Sequence, residues 1–230
     1  MFPYSDNLQR SGQVAGVSLI IALLLAAYLP AIVDSATYAT VIDHLGFIPF
    51  QFSVAPWANV HRLVSSVFLH SDVFHVAGNC LFLWVFGRSL QRLFGTTVFL
   101  LLFPFLGIVG LLLHWVIYPQ SRAPVIGASG AVATLMGTYL ALFPKARIKL
   151  FLLLGSLAAP LTAPAWVFLL YWGAFELLSL VFGLGEADRV AYAVHVGGFI
   201  AGIMAAIVWK VAYPFAEERL LEFTSDAFQK

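Results

Sequence analysis

The sequence predicts an all-α fold, a polytopic membrane protein built as a six-transmembrane-helix bundle. Three observations carry this. Of 230 residues, 61% are hydrophobic and 10% charged, more apolar surface than a soluble domain can bury. The apolar residues gather in six runs of about 20 residues, each long enough to cross a ~30 Å hydrocarbon core as a helix. None of the runs alternates with period two, as a transmembrane strand would. The length leaves room for one membrane-embedded domain over residues 1–230, with a core of about 12–212 and short tails.

Taken in order, the runs cover roughly 12–33, 68–87, 97–118, 125–143, 164–183 and 190–212. The first has no small-residue cleavage site after a short apolar core, so it reads as a retained helix. Residues 34–66 form a long, half-apolar connection carrying Phe47, Phe50, Phe52 and Trp57 with Pro49 and Pro56. Such a segment is expected to lie in the membrane interface. Residues 147–164 are apolar but broken by Gly155, Pro160 and Pro164, and read as an interfacial hairpin before the fifth run. The polar stretch 217–230 is expected to fray.

Six crossings with an inner N-terminus place nine basic residues inside (Arg10, Arg88, Arg92, Lys145, Arg147, Lys149, Lys210, Arg219, Lys230). Arg62, Arg122 and Arg189 fall outside. This bias predicts cytoplasmic termini. A net charge of +1 gives no case for a nucleic-acid partner, and the single Cys80 excludes an internal disulfide. Small size and the lack of an organelle-targeting pattern point to a bacterial-type inner membrane.

Three polar sets interrupt the apolar runs. Gly127-Ala128-Ser129-Gly130 places a hydroxyl several residues into the fourth run, where alanine would pack as well without a group to satisfy. The flanking glycines allow close backbone approach. In the sixth run, His195 shares a helical face with Gly198 and Gly202, a small-residue surface that brings two backbones together. In the second run, His75 and Asn79 lie one turn apart, and both can donate hydrogen bonds. Each set alone also reads as interhelical packing or polar glue. Together they supply a nucleophile (Ser129), a base (His195) and oxyanion donors (His75 and Asn79), as acyl transfer requires. Apart from Asp72 near the start of the second, no aspartate lies in the apolar runs to orient the base, so the arrangement predicts a dyad variant of the triad. His70 falls about 140° around a helix from His75, and is expected to brace the loop beside Arg62. His114 and Glu176 read as partnered polar residues. No zinc motif of the H-E-x-x-H type occurs, and neither metal nor cofactor is expected.

These three motifs, in this order, resemble those of the rhomboid intramembrane serine proteases. The resemblance runs from about Arg62 to Ala206. It covers His70 through His75 and Asn79, then Gly127-Ala128-Ser129-Gly130, then His195 with Gly198 and Gly202. It implies a rhomboid-like six-helix bundle and an endopeptidase that cuts transmembrane segments of other proteins within the lipid bilayer. Ser129 would be the nucleophile and His195 the base. His75 and Asn79 would stabilise the oxyanion, and His70 would be structural. The fifth run and residues 183–190 would gate and cap the site. The alternative is a catalytically silent relative that binds transmembrane helices. Three departures from the family pattern stand out. His61-Arg62 replaces Trp-Arg, Gln91 replaces a glutamate that partners the first-loop arginine, and Ala133 replaces an aromatic that packs on the base.

Overall fold

The computed structural model describes residues 1–8, 14–154, 157–184 and 191–228. Among the described residues, four helices are long and apolar enough to cross a membrane: α1 (Ala15–Val33), α3 (Val73–Phe94), α4 (Thr96–Ile117) and α7 (Tyr192–Ala212). Between α1 and α3 lies α2 (Ser35–Leu45), followed by short helical turns from Pro49 to Ser65. Two shorter apolar helices follow, α5 (Ser129–Leu142) and α6 (Ala165–Val181), and α8 (Ala216–Phe228) closes the chain.

The outer faces match the composition. Leu101, Leu102 and Phe105 on α4, Leu170, Tyr171 and Phe175 on α6, and Met204, Ile207 and Val208 on α7 are all exposed. Continuous apolar faces of this extent are what lipid covers. α5 is the opposite case. Ten of its 14 residues are buried, so it forms the central post of the bundle. Its contact with α7 is set by glycine. A Cβ at Gly202 would run into the Thr134 carbonyl, and one at Gly137 into the Phe199 carbonyl. Thr138 uses the resulting closeness to donate its hydroxyl to the Gly202 carbonyl at 3.1 Å.

Several boundaries differ from the sequence reading. The second span is Val73–Phe94 rather than 68–87. Asp72 caps it, accepting from the His75 N–H at 2.9 Å, and so holds residues 68–72 outside the helix. The helix of the fourth run, α5, begins at Ser129 rather than near 125. Gly127 takes φ +118°, a backbone that other residues rarely adopt, and this ends the preceding extended segment. Ser129 is therefore the first residue of its helix, not a residue several positions in.

The fold is mostly helical but not all-α. Strands β1 (Phe2–Asp6), β2 (Arg147–Leu154) and β3 (Leu157–Pro164) form an antiparallel sheet in that order. The β2–β3 pair is the hairpin expected over 147–164; the N-terminal strand that joins it was not foreseen. Within the stretch expected to fray, residues 217–228 are helical instead. They belong to α8, where Phe223 stacks on Phe143 at 5.3 Å and the Arg219 Nη2 donates to the Leu93 carbonyl at 2.6 Å. Residues 34–66 fold onto the bundle, with Phe47 and Val125 exchanging backbone hydrogen bonds of 3.1 and 2.7 Å.

Candidate functional site

The N-termini of α3, α5 and α7 and the C-terminus of α6 meet at one end of the bundle. That convergence follows from serial antiparallel helices. Ser129 opens α5, so the backbone N–H groups of residues 128–131 have no carbonyl within their own helix. The Ala128 carbonyl accepts the first intrahelical bond, from Val132 at 2.9 Å. The Ser129 side chain is half-buried.

Gly127 and Gly130 place this peptide against both polar neighbours. A Cβ on Gly127 would lie 2.6 Å from His75 Nε2 and 3.6 Å from Asn79 Nδ2, so only glycine lets the loop pass. A Cβ on Gly130 would lie 2.7 Å from Val194 Cγ1, and one on Gly198 would lie 2.5 Å from the Gly130 carbonyl oxygen. Val194 and Gly198 bracket His195, so the helix that bears it and the serine peptide share one level. Among the described residues no hydrogen bond joins Ser129 Oγ to His195.

His195 is held from its other side. Its Nδ1 lies 2.7 Å from Glu176 Oε2, with the two side chains 14% and 8% exposed. Trp172 and Tyr192 flank the imidazole with ring centroids 6.2 and 6.4 Å away, the latter perpendicular. The aromatic packing that Ala133 cannot supply therefore comes from α6 and from the start of α7. Glu176 is partnered, as its sequence context suggests, but its pairing with His195 was not legible there. An acid inside an apolar run was the available signal, but its partner stands on another helix.

His75 and Asn79 do face the serine loop, on different terms. Ser71 Oγ donates to Asp72 Oδ2 at 2.8 Å and lies 3.1 Å from His75 Nδ1. With its proton on Asp72, Ser71 must accept from His75 Nδ1–H. A neutral His75 then turns a lone pair toward Gly127, not a proton. Asn79 Nδ2 donates to His70 Nε2 at 3.0 Å and keeps a second N–H.

His70 shares no hydrogen bond with Arg62 among the described residues. It precedes the helix cap, so a helical-wheel angle does not describe it, and its ring sits 4.9 Å from that of His75. Its Nε2 accepts from Asn79 and, at 3.5 Å, from the Ala128 N–H. Arg62 instead donates through Nη1 to the Asp43 and Gly46 carbonyls at 2.8 and 2.9 Å. Gln91 works at the far end of α3, accepting from the Val17 N–H at 2.7 Å and donating to Thr96 Oγ1 at 3.0 Å. His114 is not fully partnered: its buried Nδ1 has no hydrogen-bond partner among the described residues. The expected cap over 183–190 falls largely outside the described residues.

A helical bundle with lipid-facing apolar helices and a buried polar cluster at one end defines an integral membrane protein. The rhomboid domain model matches residues 58–211. The chain is 31% identical over 163 residues to Rhomboid protein 1, mitochondrial, of Saccharomyces cerevisiae, covering 68% of this chain and 43% of that protein. It is 30% identical over 148 residues to Rhomboid protease GluP of Bacillus subtilis, covering 63% of this chain and 25% of that one. It is 29% identical over 154 residues to Presenilin-associated rhomboid-like protein A, mitochondrial, of Danio rerio, covering 66% and 37%. The matched stretch thus spans less than half the length of these relatives. The chain belongs to the rhomboid family.

Proposed function

We propose that this protein is an intramembrane serine endopeptidase that cleaves transmembrane segments of other membrane proteins. Ser129 Oγ attacks the scissile carbonyl carbon while His195 Nε2 takes its proton. The C–N bond then breaks, and Nε2 returns the proton to the departing amine. Water, activated by the same nitrogen, hydrolyses the acyl-Ser129 ester and releases the new carboxyl terminus. Asn79 and the N–H groups at the start of α5 that have no carbonyl in their own helix stabilise the oxyanion. His75 lines the same space and donates at Nε2 only as an imidazolium or in its other tautomer.

One observation carries this reading. Glycines on both sides of Ser129 seat its peptide between His75 and Asn79 on one face and the turn of α7 that bears His195 on the other. Membership of a family in which one relative is named a protease supports it. Helix length adds a further argument. The 14 residues of α5 extend about 21 Å, less than a ~30 Å hydrocarbon core. With its inner end at one interface, the serine stands below the opposite surface, where a transmembrane substrate can present its backbone.

We further assign α1, α3, α4, α5, α6 and α7 as the six crossings of a single domain, with both termini in the cytoplasm of a bacterial-type cell. The serine end of the bundle then faces outward. No cofactor is needed for this chemistry.

The test is purified protein incubated with a panel of tagged transmembrane substrates. Wild type should cleave and take up a fluorophosphonate label, while Ser129→Ala and His195→Ala should do neither. Labelling that survives Ser129→Ala would overturn the proposal. Substrate capture without any product would favour the silent, helix-binding relative.

A further inference from the structure

We infer that Glu176 is a positioning residue for His195, which makes the site a Ser–His–Glu relay assembled from α5, α7 and α6. The inference rests on the proteolytic reading above and adds a third member to it.

The contact is short. At 2.7 Å the His195–Glu176 bond has the length of a charge-assisted hydrogen bond, and both side chains are nearly buried. Among the described residues, His195 is the one hydrogen-bond partner that Glu176 has. A carboxylate accepting from Nδ1–H fixes the tautomer and leaves Nε2 as the lone pair that a serine proton needs. Trp172 and Tyr192 wall the ring on two sides. The acid removes the freedom that those rings leave.

The same carboxylate faces the charge that develops during reaction. When Ser129 gives up its proton, the imidazole becomes an imidazolium beside Glu176, in surroundings where water screens little. The proton stays on the ring. It passes from Oγ to Nε2 and on to the leaving amine, and Glu176 never takes it. An acid at membrane depth is costly to retain as simple glue. Ser, Thr or Asn could join α6 to α7 more cheaply.

The experiment compares wild type with Glu176→Gln, Glu176→Asp and Glu176→Leu, purified in detergent. Three quantities are read: the rate of fluorophosphonate labelling, kcat and KM on a cleaved transmembrane substrate, and the ¹⁵N signals of the His195 ring. Gln keeps the shape but loses the charge, and its amide can force the wrong tautomer. Glu176→Gln should lower kcat and labelling by about 10²-fold, with KM within about two-fold. Glu176→Asp should recover part of that loss, and Glu176→Leu none of it. The wild-type ring should show a protonated Nδ1 and a bare Nε2, and the Gln variant a mixture of tautomers.

Wild-type kcat in Glu176→Gln overturns the relay. So does an unchanged His195 spectrum in that variant, even where its melting temperature falls, because that is the behaviour of a packing contact. The nearly isosteric Gln variant keeps the test decisive if the Leu variant fails to fold. A wild-type protein that neither cleaves nor labels overturns the protease reading and the relay with it. A protein that cleaves through Ser129 but tolerates both Gln and Leu overturns the relay alone.

Discussion

Two buried polar clusters stand at opposite ends of α5, and they are finished differently. At the far end, Asp6 from β1 accepts from Tyr139 Oη at 2.6 Å, Ser89 Oγ at 2.9 Å and the Leu8 N–H at 3.1 Å. Asp6 is 4% exposed and both side-chain donors 0%. Water has no access, and each donor is spent on a protein acceptor. At the other end, Ser129 and His195 keep some exposure, and the first N–H groups of α5 have no helical partner. A closed cluster converts its hydrogen bonds into stability. An open one holds its polar groups in place and leaves them for a ligand. The two ends are separated by ten residues of one helix, about 15 Å, so substitutions at each should be separable.

The largest expected effect is on activity alone. Ser129→Ala should reduce cleavage to background while the melting temperature stays within about 2 °C of wild type, since the hydroxyl has no hydrogen-bond partner among the described residues. A marked loss of stability would place Ser129 among the packing residues and erase the contrast.

Next comes the choice between the two proposed oxyanion donors. Asn79→Ala should lower kcat by about 10²-fold with little change in KM, the usual cost of one oxyanion donor. His75→Ala should cost less, because the Ser71–Asp72 chain holds the ring's proton on Nδ1, away from Gly127. Equal losses in steady-state kinetics would show that His75 donates in the transition state and does not keep its proton on Nδ1.

Asp6→Ala should do the reverse of Ser129→Ala. It strands the buried Tyr139 and Ser89 hydroxyls and releases the β1 anchor, at a cost of about 3 kcal/mol. Thermal unfolding should show the loss, and kcat per active site, counted by fluorophosphonate titration, should not move. A fall in kcat would mean that the two ends are coupled through α5.

The contrast also explains which parts of the molecule were legible in its sequence. Ser129, His195, His75 and Asn79 stand out because each is polar inside an apolar run, and that signal is local. Gly198 and Gly202 stand out through their spacing. The Asp6 cluster gives no such signal: its members are separated by 83 and 133 residues and lie outside any shared motif. Glu176 was visible as an acid in an apolar helix, but its pairing depends on how α6 seats against α7, through Trp172 on Phe199 at 5.5 Å. β1 eluded prediction for a similar reason. Five residues carry no strand signature until β2 offers an edge. In α8 the polar composition outweighed Leu220 and Phe223, which sit three apart and face one way.

The smallest expected effect lies at the rim of the open cluster and tests whether its support is local. Asp72 caps α3 and holds the Ser71–His75 pair in place. The hydrogen bond from the His75 backbone N–H, helped by the Ser71 hydroxyl, holds its carboxyl below the ordinary carboxylate value, against a smaller opposing effect of burial. A depressed value means that the stabilisation is present at neutral pH and is lost as pH falls through the folded-state value, below about pH 4. Asp72→Ala should therefore destabilise the protein by about 1 kcal/mol at pH 7, the usual worth of a helix cap. The difference from wild type should vanish in strong acid. The side chain is largely exposed, so salt should trim its charge-dependent part. Melting curves of both proteins across pH would check this. A difference that persists undiminished in acid would show that Asp72 acts through packing and not as a charged cap.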